Sequence, residues 1–236
     1  RSAAWVHRRR NSSNFGPFLT KAAEALAMSE NELLARLHAR YGGFCFDGSG
    51  ATRLYCPWSV LNFLKAPEQG FFSYWFASGG HPSVLMKHLE GCELGKPTGF
   101  SAAKLVRMED LAAPKEIPGI GRDILLTQVD CLTIKAVDEL GVVSLGYPNQ
   151  EVAISMAQLY ADQLLSGRVY RPHDGVLLES LLAKGQISAI VDRFNEVLNA
   201  LDYNRYPIVD EATCRAYLQV LMIGADMVPQ VEVHTS

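Results

Sequence analysis

The sequence predicts a mainly α-helical protein with small β-hairpins, which is an α+β fold. Apolar residues recur at helical spacing through most of the 236-residue chain. Two short runs of alternating apolar and polar residues flank a turn at residues 138–141, and two aromatic segments enclose a glycine-rich loop within residues 41–55. With 48% hydrophobic and 20% charged residues, the chain can bury a substantial core.

Two helices are predicted before the glycine-rich loop. The first spans residues 17–28, and Pro17 suits its first turn because proline lacks an N–H that would be left unpaired there. Residues 29–32 (SENE) form a capping box, in which Ser29 and Glu32 each bond the other's backbone N–H and open the second helix. Further helices are predicted at residues 57–65, 74–76 and 82–89.

Residues 121–165 are predicted to form a short helix, a two-stranded ribbon and a long helix. The apolar residues that predict the short helix and the two strands are Leu125, Leu126, Val129, Leu132, Ile134, Val143 and Leu145. Gly141 completes the turn between the strands because glycine readily adopts positive φ. A winged-helix unit ends with a helix that is followed by such a ribbon.

Asn149 is predicted to cap the long helix. The apolar face of that helix comprises Val152, Ile154, Met156, Leu159, Gln163 and Leu164. Residues 166–167 end it, and residues 169–174 are a predicted linker, which divides the chain into domains at 15–167 and 168–236. Three helices, at Val176 to Ala183, 187–201 and 210–223, are then predicted before a strand at 228–235.

The first 14 residues differ from the rest because they hold four arginines, one histidine and no acid. They are either a basic arm that contacts phosphates or a disordered or vector-derived leader, and their lack of apolar periodicity favours the leader. The chain has no initiating methionine, and its last strand has no later partner. We therefore expect a fragment.

Composition excludes several classes of protein. The net charge of −3 argues against a generally cationic nucleic-acid binder, although not against a local basic face. Five scattered cysteines without a C-x-x-C pair indicate buried thiols in a reducing cytosol rather than a zinc or disulfide framework. No apolar run reaches the length of a membrane span, so a cytoplasmic location and no membrane partner are expected.

Two glycine-rich stretches resemble phosphate loops, and the sequence argues against both. In residues 42–50 no apolar strand leads in and no lysine follows, so a turn is favoured. In residues 91–98 the glycine spacing is one residue short, and Pro97 occupies the place of the metal-binding hydroxyl. No metal site is predicted in the chain, because no histidines or cysteines have a complete ligand spacing.

Several phrases together resemble a family of uncharacterised bacterial proteins that have an AAA-ATPase-like domain followed by a PD-(D/E)xK nuclease-like domain. The phrases are YGGFCFDG, YCPWSVLNFL, YWFASGGHPSVLMKHL, LLTQVDCLTIK and LGYPNQEV. The family has asparagine where this chain has Gly42, and T-G-Y where it has Val129-Asp130-Cys131.

The resemblance implies that residues 15–167 are the helical lid and winged-helix-like region, and that 168–236 begin the nuclease-like fold. The partners that the resemblance implies are therefore a P-loop domain upstream of this chain and a nuclease-like core downstream of it. ATP and Mg²⁺ would serve the intact protein, with no cofactor expected for this chain alone. Glu211 would be one catalytic acid of the nuclease-like set, although an acid at a helix N-terminus is an equal alternative.

The favoured function is thus a lid and coupling portion that is inactive by itself. The first alternative is a nucleic-acid-binding winged-helix module with phosphate contacts at Lys104, Arg107, Arg122 and Lys135. Acids at 138 and 139 oppose it, because they occupy the tip where a DNA-binding wing usually has lysine or arginine. The second alternative is a protein–protein interaction scaffold.

Overall fold

A computed structural model describes residues 6–7, 12–75, 99–100, 104–112, 120–164, 180–201, 203–204 and 206–227. Helices and a small antiparallel sheet make up these residues, which confirms the predicted α+β class. The chain forms two compact units, one of Arg1–Cys92 with Ala103–Val152 and one of Glu93–Ala102 with Ala153–Ser236. The predicted domain boundary near residue 167 lies outside the described residues, as do the predicted helix 82–89, the rejected loop at 91–98 and the predicted strand 228–235.

A helical layer opens the first unit. Its elements are α1 (Ser12–Ala25), α2 (Glu30–Tyr41), α3 (Pro57–Lys65) and a 3-10 turn (Pro67–Gln69). The core between them buries Ala22, Ala23, Leu33, Leu37, Tyr41 and Phe63. Strand β1 (Val6–His7) pairs antiparallel with β2 (Leu54–Tyr55).

Local signals placed α2 correctly and α1 incorrectly. The Ser29 hydroxyl accepts the Glu32 N–H at 3.2 Å, as the capping box predicted. However, α1 begins at Ser12, so Pro17 lies inside the helix rather than at its start. Proline removes only the bond to the Ser13 carbonyl, which lies in the first turn, and its fixed φ suits a helix.

Three helices end on a left-handed residue that is not glycine. Ala27 (φ 51°), Asp130 (φ 63°) and Asp226 (φ 62°) each follow a helix. After Ala27 the N–H of Met28 bonds the Ala23 carbonyl at 3.0 Å, which is the long bond of a Schellman motif. A side chain in this conformation costs free energy that glycine would not.

The sheet of the first unit contains β3 (Lys104–Arg107), β4 (Thr133–Val137) and β5 (Val142–Gly146), in the order β3-β5-β4. All pairings are antiparallel, with Lys104 opposite Leu145 and Thr133 opposite Gly146. Helices α4 (Met108–Ala112) and α5 (Arg122–Gln128) lie between β3 and β4 in the chain. The chain order is therefore strand, helix, helix, strand, strand.

The predicted ribbon is confirmed, with one correction in the helix before it. Val143 and Leu145 are buried, and Gly141 has φ 74°. The predicted face of α5 was wrong at Val129, which is 41% exposed, whereas Ile124 is buried in its place. Val129 follows the last turn of this short helix, so helical periodicity no longer fixes its direction.

In the second unit, α7 (Ile187–Asn199) and α8 (Glu211–Gly224) accompany the greater part of α6 (Gln150–Leu164). A Cβ atom built on Gly224 would lie 3.5 Å from the Ala157 backbone, so α6 and α8 approach closely there. The Gln158 amide also donates to the Gly224 carbonyl at 3.1 Å. The predicted burial of Val152, Ile154, Met156 and Leu159 is confirmed. No helix in the described ranges is long and apolar enough to cross a membrane.

Candidate functional site

The first unit contains a fully buried carboxyl group, that of Glu151 at the start of α6. One of its oxygens accepts the hydroxyl of Ser59 from α3 at 2.8 Å. The other accepts the backbone N–H groups of Tyr74 and Trp75, the latter at 3.0 Å. Both oxygens are thus satisfied by donors far away in sequence.

Other ionisable side chains surround this carboxyl group. Burial raises the pKa of Glu151 to about 7, although the hydrogen bonds from Ser59, Tyr74 and Trp75 and the charge of Arg40 oppose the rise. Burial and the nearby carboxyl group also raise the pKa of the Tyr41 phenol. Glu151 is therefore poised to change charge near neutral pH.

The segment Phe71–Trp75, here called the strap, is held from both sides. The Tyr41 hydroxyl donates to the Phe72 carbonyl at 2.8 Å, and the Arg40 guanidinium donates to the Ser73 hydroxyl at 3.3 Å. Rings of the strap add apolar contact in two stacked pairs. These are Phe71 on Phe63, with ring centroids 4.7 Å apart, and Trp75 on Phe44, with centroids 5.5 Å apart.

A second set of contacts joins the glycine-rich segment to the ribbon and to the loop before α6. The Asn149 amide donates to the Gly42 carbonyl at 2.8 Å, while its oxygen accepts the Val152 N–H at 3.0 Å. The latter bond confirms the predicted cap. Thr133 bonds the N–H and the carbonyl of Cys45 at 2.7 and 3.0 Å. The described parts of the five sequence phrases therefore meet in one region of the first unit.

The glycine-rich loop at 47–52 already holds an anion of its own. The Asp47 carboxylate accepts the N–H groups of Ser49, Ala51 and Thr52 at 3.0, 3.2 and 2.7 Å. Hydrogen bonds from Ser49 and Thr52 hold the pKa of Asp47 well below its ordinary value. The backbone donors that a phosphate would need are thus occupied by Asp47, which agrees with the predicted turn.

The four predicted phosphate contacts do not form a common open face in the described structure. Lys104 is buried with its amine 5.3 Å from the centre of the Tyr147 ring. The Lys135 amine donates to the Pro148 carbonyl at 3.2 Å. Arg107 pairs with Glu109 and Arg122 with Asp123, both at 3.3 Å. Each of the four cations thus has a partner within the protein.

Burial lowers the pKa of Lys104; the charge of Asp123 opposes this shift and that of Arg122 adds to it, so Lys104 lies near the Arg122–Asp123 ion pair. For Lys135 the neighbouring charge is instead Arg53, which lowers its pKa further after burial. Lys104 and Arg122, two of the predicted contacts, are thus brought together.

Glu211 is the exposed first residue of α8, and Asp210 caps that helix by accepting the Thr213 N–H at 2.7 Å. Its position is that of a helix N-terminal acid, the alternative weighed above. No group of three histidine, cysteine, aspartate or glutamate side chains able to hold a metal occurs among the described residues. Because Asp47 fills the loop at 47–52, that loop does not fit the phosphates of ATP.

Sequence reasoning missed Glu151, Ser59, Arg40 and Asp47. The one available signal was Glu151 two residues after the predicted Asn149 cap, where an acid is ordinarily explained by the helix dipole. Searches against protein-family models, curated proteins and solved structures found no match. The family resemblance therefore stays a hypothesis.

Proposed function

We propose that residues 15–167 are the helical lid and winged-helix-like region of an AAA-ATPase-like protein and couple its nucleotide state to the module that follows. Residues 168–236 then begin a nuclease-like domain, and this chain alone is not catalytic. The coupling part of the proposal rests on the hydrogen bonds that Glu151 accepts from Ser59, Tyr74 and Trp75. Because one buried carboxyl group bonds α3 and the strap from the start of α6, none of the three can shift alone without losing a buried hydrogen bond.

Two further features support the winged-helix assignment. The order strand, helix, helix, strand, strand, with β3 beside β5, is the order of winged-helix units. Asp130 stands where the family phrase has glycine, and its left-handed backbone is the conformation that glycine adopts most easily.

The flanking reading frame is the most direct test. We expect a P-loop and a Walker B acid to be encoded upstream, and an aspartate with an E-x-K motif downstream. A frame that encodes neither would overturn the proposal. The purified chain should hydrolyse neither ATP nor DNA, and activity that Glu211→Ala abolishes would contradict the claim that the chain is inactive alone.

The sheet order also favours an alternative function, binding of nucleic acid. In that case α5 would enter a groove and the 138–141 turn would be the wing. The acids of that turn and the engaged cations oppose it, since each cation would have to exchange its protein partner for phosphate. The affinity for fluorescently labelled DNA, measured at rising salt concentration, tests this function. The Lys135→Ala variant is compared with Lys65→Ala, which changes an exposed lysine outside the predicted set. Binding that weakens with salt and is reduced only by Lys135→Ala would establish this function.

An interaction scaffold is favoured by one observation on α3. Trp58 and Leu61 lie about one turn apart and are 46% and 55% exposed. Sedimentation at rising concentration tests whether this face binds a second copy of the chain. Association that Leu61→Ser removes would support a scaffold, and a monomer at all concentrations would remove self-association as its basis.

A further inference from the structure

We infer that the strap is a reversible closure and that the Glu151 carboxyl group is its latch, fastened when protonated and loosened when ionised. This inference goes beyond the proposed function and depends only on contacts within the first unit. It would hold even if the coupling role were disproved.

The strap depends on few polar anchors. Residues 71–74 form no helix or strand, so their backbone groups receive no regular ladder of hydrogen bonds. The side chains that bond them belong to α2 at one end, through Arg40 and Tyr41, and to Glu151 at the other. A single carboxyl oxygen holds two successive N–H groups, so its loss would release the Tyr74–Trp75 end.

Ionisation disfavours the closed form because the carboxylate would have no contact with water, and this cost outweighs the hydrogen bonds from Ser59, Tyr74 and Trp75, which favour the charged form. Among the described residues, the groups that face it are Arg40 and Tyr41 on α2, Cys56 and Ser59 at the start of α3, and Tyr74 on the strap. Burial raises the pKa of both tyrosines and of the Cys56 thiol. Arg40 is consequently the one charged neighbour in this set near neutral pH, and its charge does not outweigh the cost of burial.

Opening would let water reach the carboxyl group and return its pKa towards the ordinary 4.5, from about 7 when closed. The closed form binds the proton more tightly, so closure is favoured below pH 4.5 and is lost as pH rises to about 7. Opening would also separate Phe71 from Phe63 and Trp75 from Phe44. The device therefore exposes aromatic surface in response to pH.

Native-state hydrogen exchange of the Tyr74 and Trp75 amides tests the inference. After correction for intrinsic exchange rates, the open population should rise on the order of 40-fold between pH 5 and pH 7. Glu151→Gln keeps the two N–H bonds without the charge and should abolish this rise. Glu139→Gln changes an exposed glutamate in the ribbon turn and should leave the rise intact.

The wild-type protein provides an internal comparison that does not depend on any variant folding. The amide of Leu37, buried within α2, needs a larger opening to exchange and should be much better protected than the strap amides at both pH values. Equal protection of the Leu37 and strap amides would mean that both exchange by global unfolding and would overturn the local closure. A strap whose opening does not change between pH 5 and pH 7 would overturn the latch itself.

Discussion

Replacing Asn149 should reveal how strongly the glycine-rich segment is joined to α6. Its oxygen caps the helix through Val152, and its amide nitrogen bonds the carbonyl of Gly42, which is buried. Loss of a cap costs about 1 kcal/mol. Leaving a buried carbonyl unpaired costs roughly 1–3 kcal/mol more. Asn149→Ala should therefore lower the free energy of unfolding by about 3 kcal/mol.

Asn149→Ser separates the two contributions. Serine can still cap the helix but is too short to reach Gly42, so about 1 kcal/mol of the loss should be recovered. Urea denaturation followed by tryptophan fluorescence measures both variants, because the three tryptophans all lie in the first unit. The control is Asn62→Ala, since the Asn62 amide bonds only the exposed Trp58 carbonyl four residues earlier in the same helix.

The control should change the free energy of unfolding by less than about 0.5 kcal/mol. If Asn149→Ala were as mild as Asn62→Ala, the bond to Gly42 would contribute nothing measurable. If serine and alanine at position 149 were equally destabilising, the cap would contribute nothing. Either result would refute the account of this junction.

Three other substitutions test separate features. Burial of Glu151, whose pKa is about 7, should lower the free energy of unfolding by about 2.5 kcal/mol between pH 5 and pH 8, and Glu151→Gln should remove that loss in urea titrations at both pH values. Gly43→Ala should destabilise by roughly 3 kcal/mol in the same assay, because Gly43 has φ 85° and a Cβ atom there would overlap the Pro148 carbonyl. Ala27→Gly should raise the melting temperature, with a gain of about 0.5–1 kcal/mol, because it relieves a left-handed alanine; an unchanged melting temperature would contradict this account.

Signals that act over a few residues predicted structure well. The serine at position 29, the asparagine at 149 and the glycine at 141 each form the bond or conformation expected of them, because cap and turn chemistry involves near neighbours. Helix ends were harder to predict. At Ala27 and Asp130 the left-handed residue is not glycine, so the usual signal for an ending is absent.

Features that depend on contacts between residues far apart in the chain could not be predicted from the sequence. Strand β3 places Lys104 inside and Leu105 outside, 65% exposed, which reverses the usual burial of apolar rather than charged side chains; the Lys104 amine lies over the Tyr147 ring. Glu151 receives its donors from residues 76 to 92 positions away in the chain. Nothing near Glu151 distinguishes a buried carboxyl group from an ordinary helix-terminal acid.

The contact of Gly43 with Pro148 has a mechanical consequence. Here one stretch of backbone rests against another with no side chain between them, so no change of rotamer can absorb a small displacement. Because Asn149 bonds Gly42 beside this contact, the same two stretches are held by attraction as well as by steric exclusion. A displacement of the end of the ribbon should therefore be transmitted to α2 and not be absorbed by rearrangement of side chains.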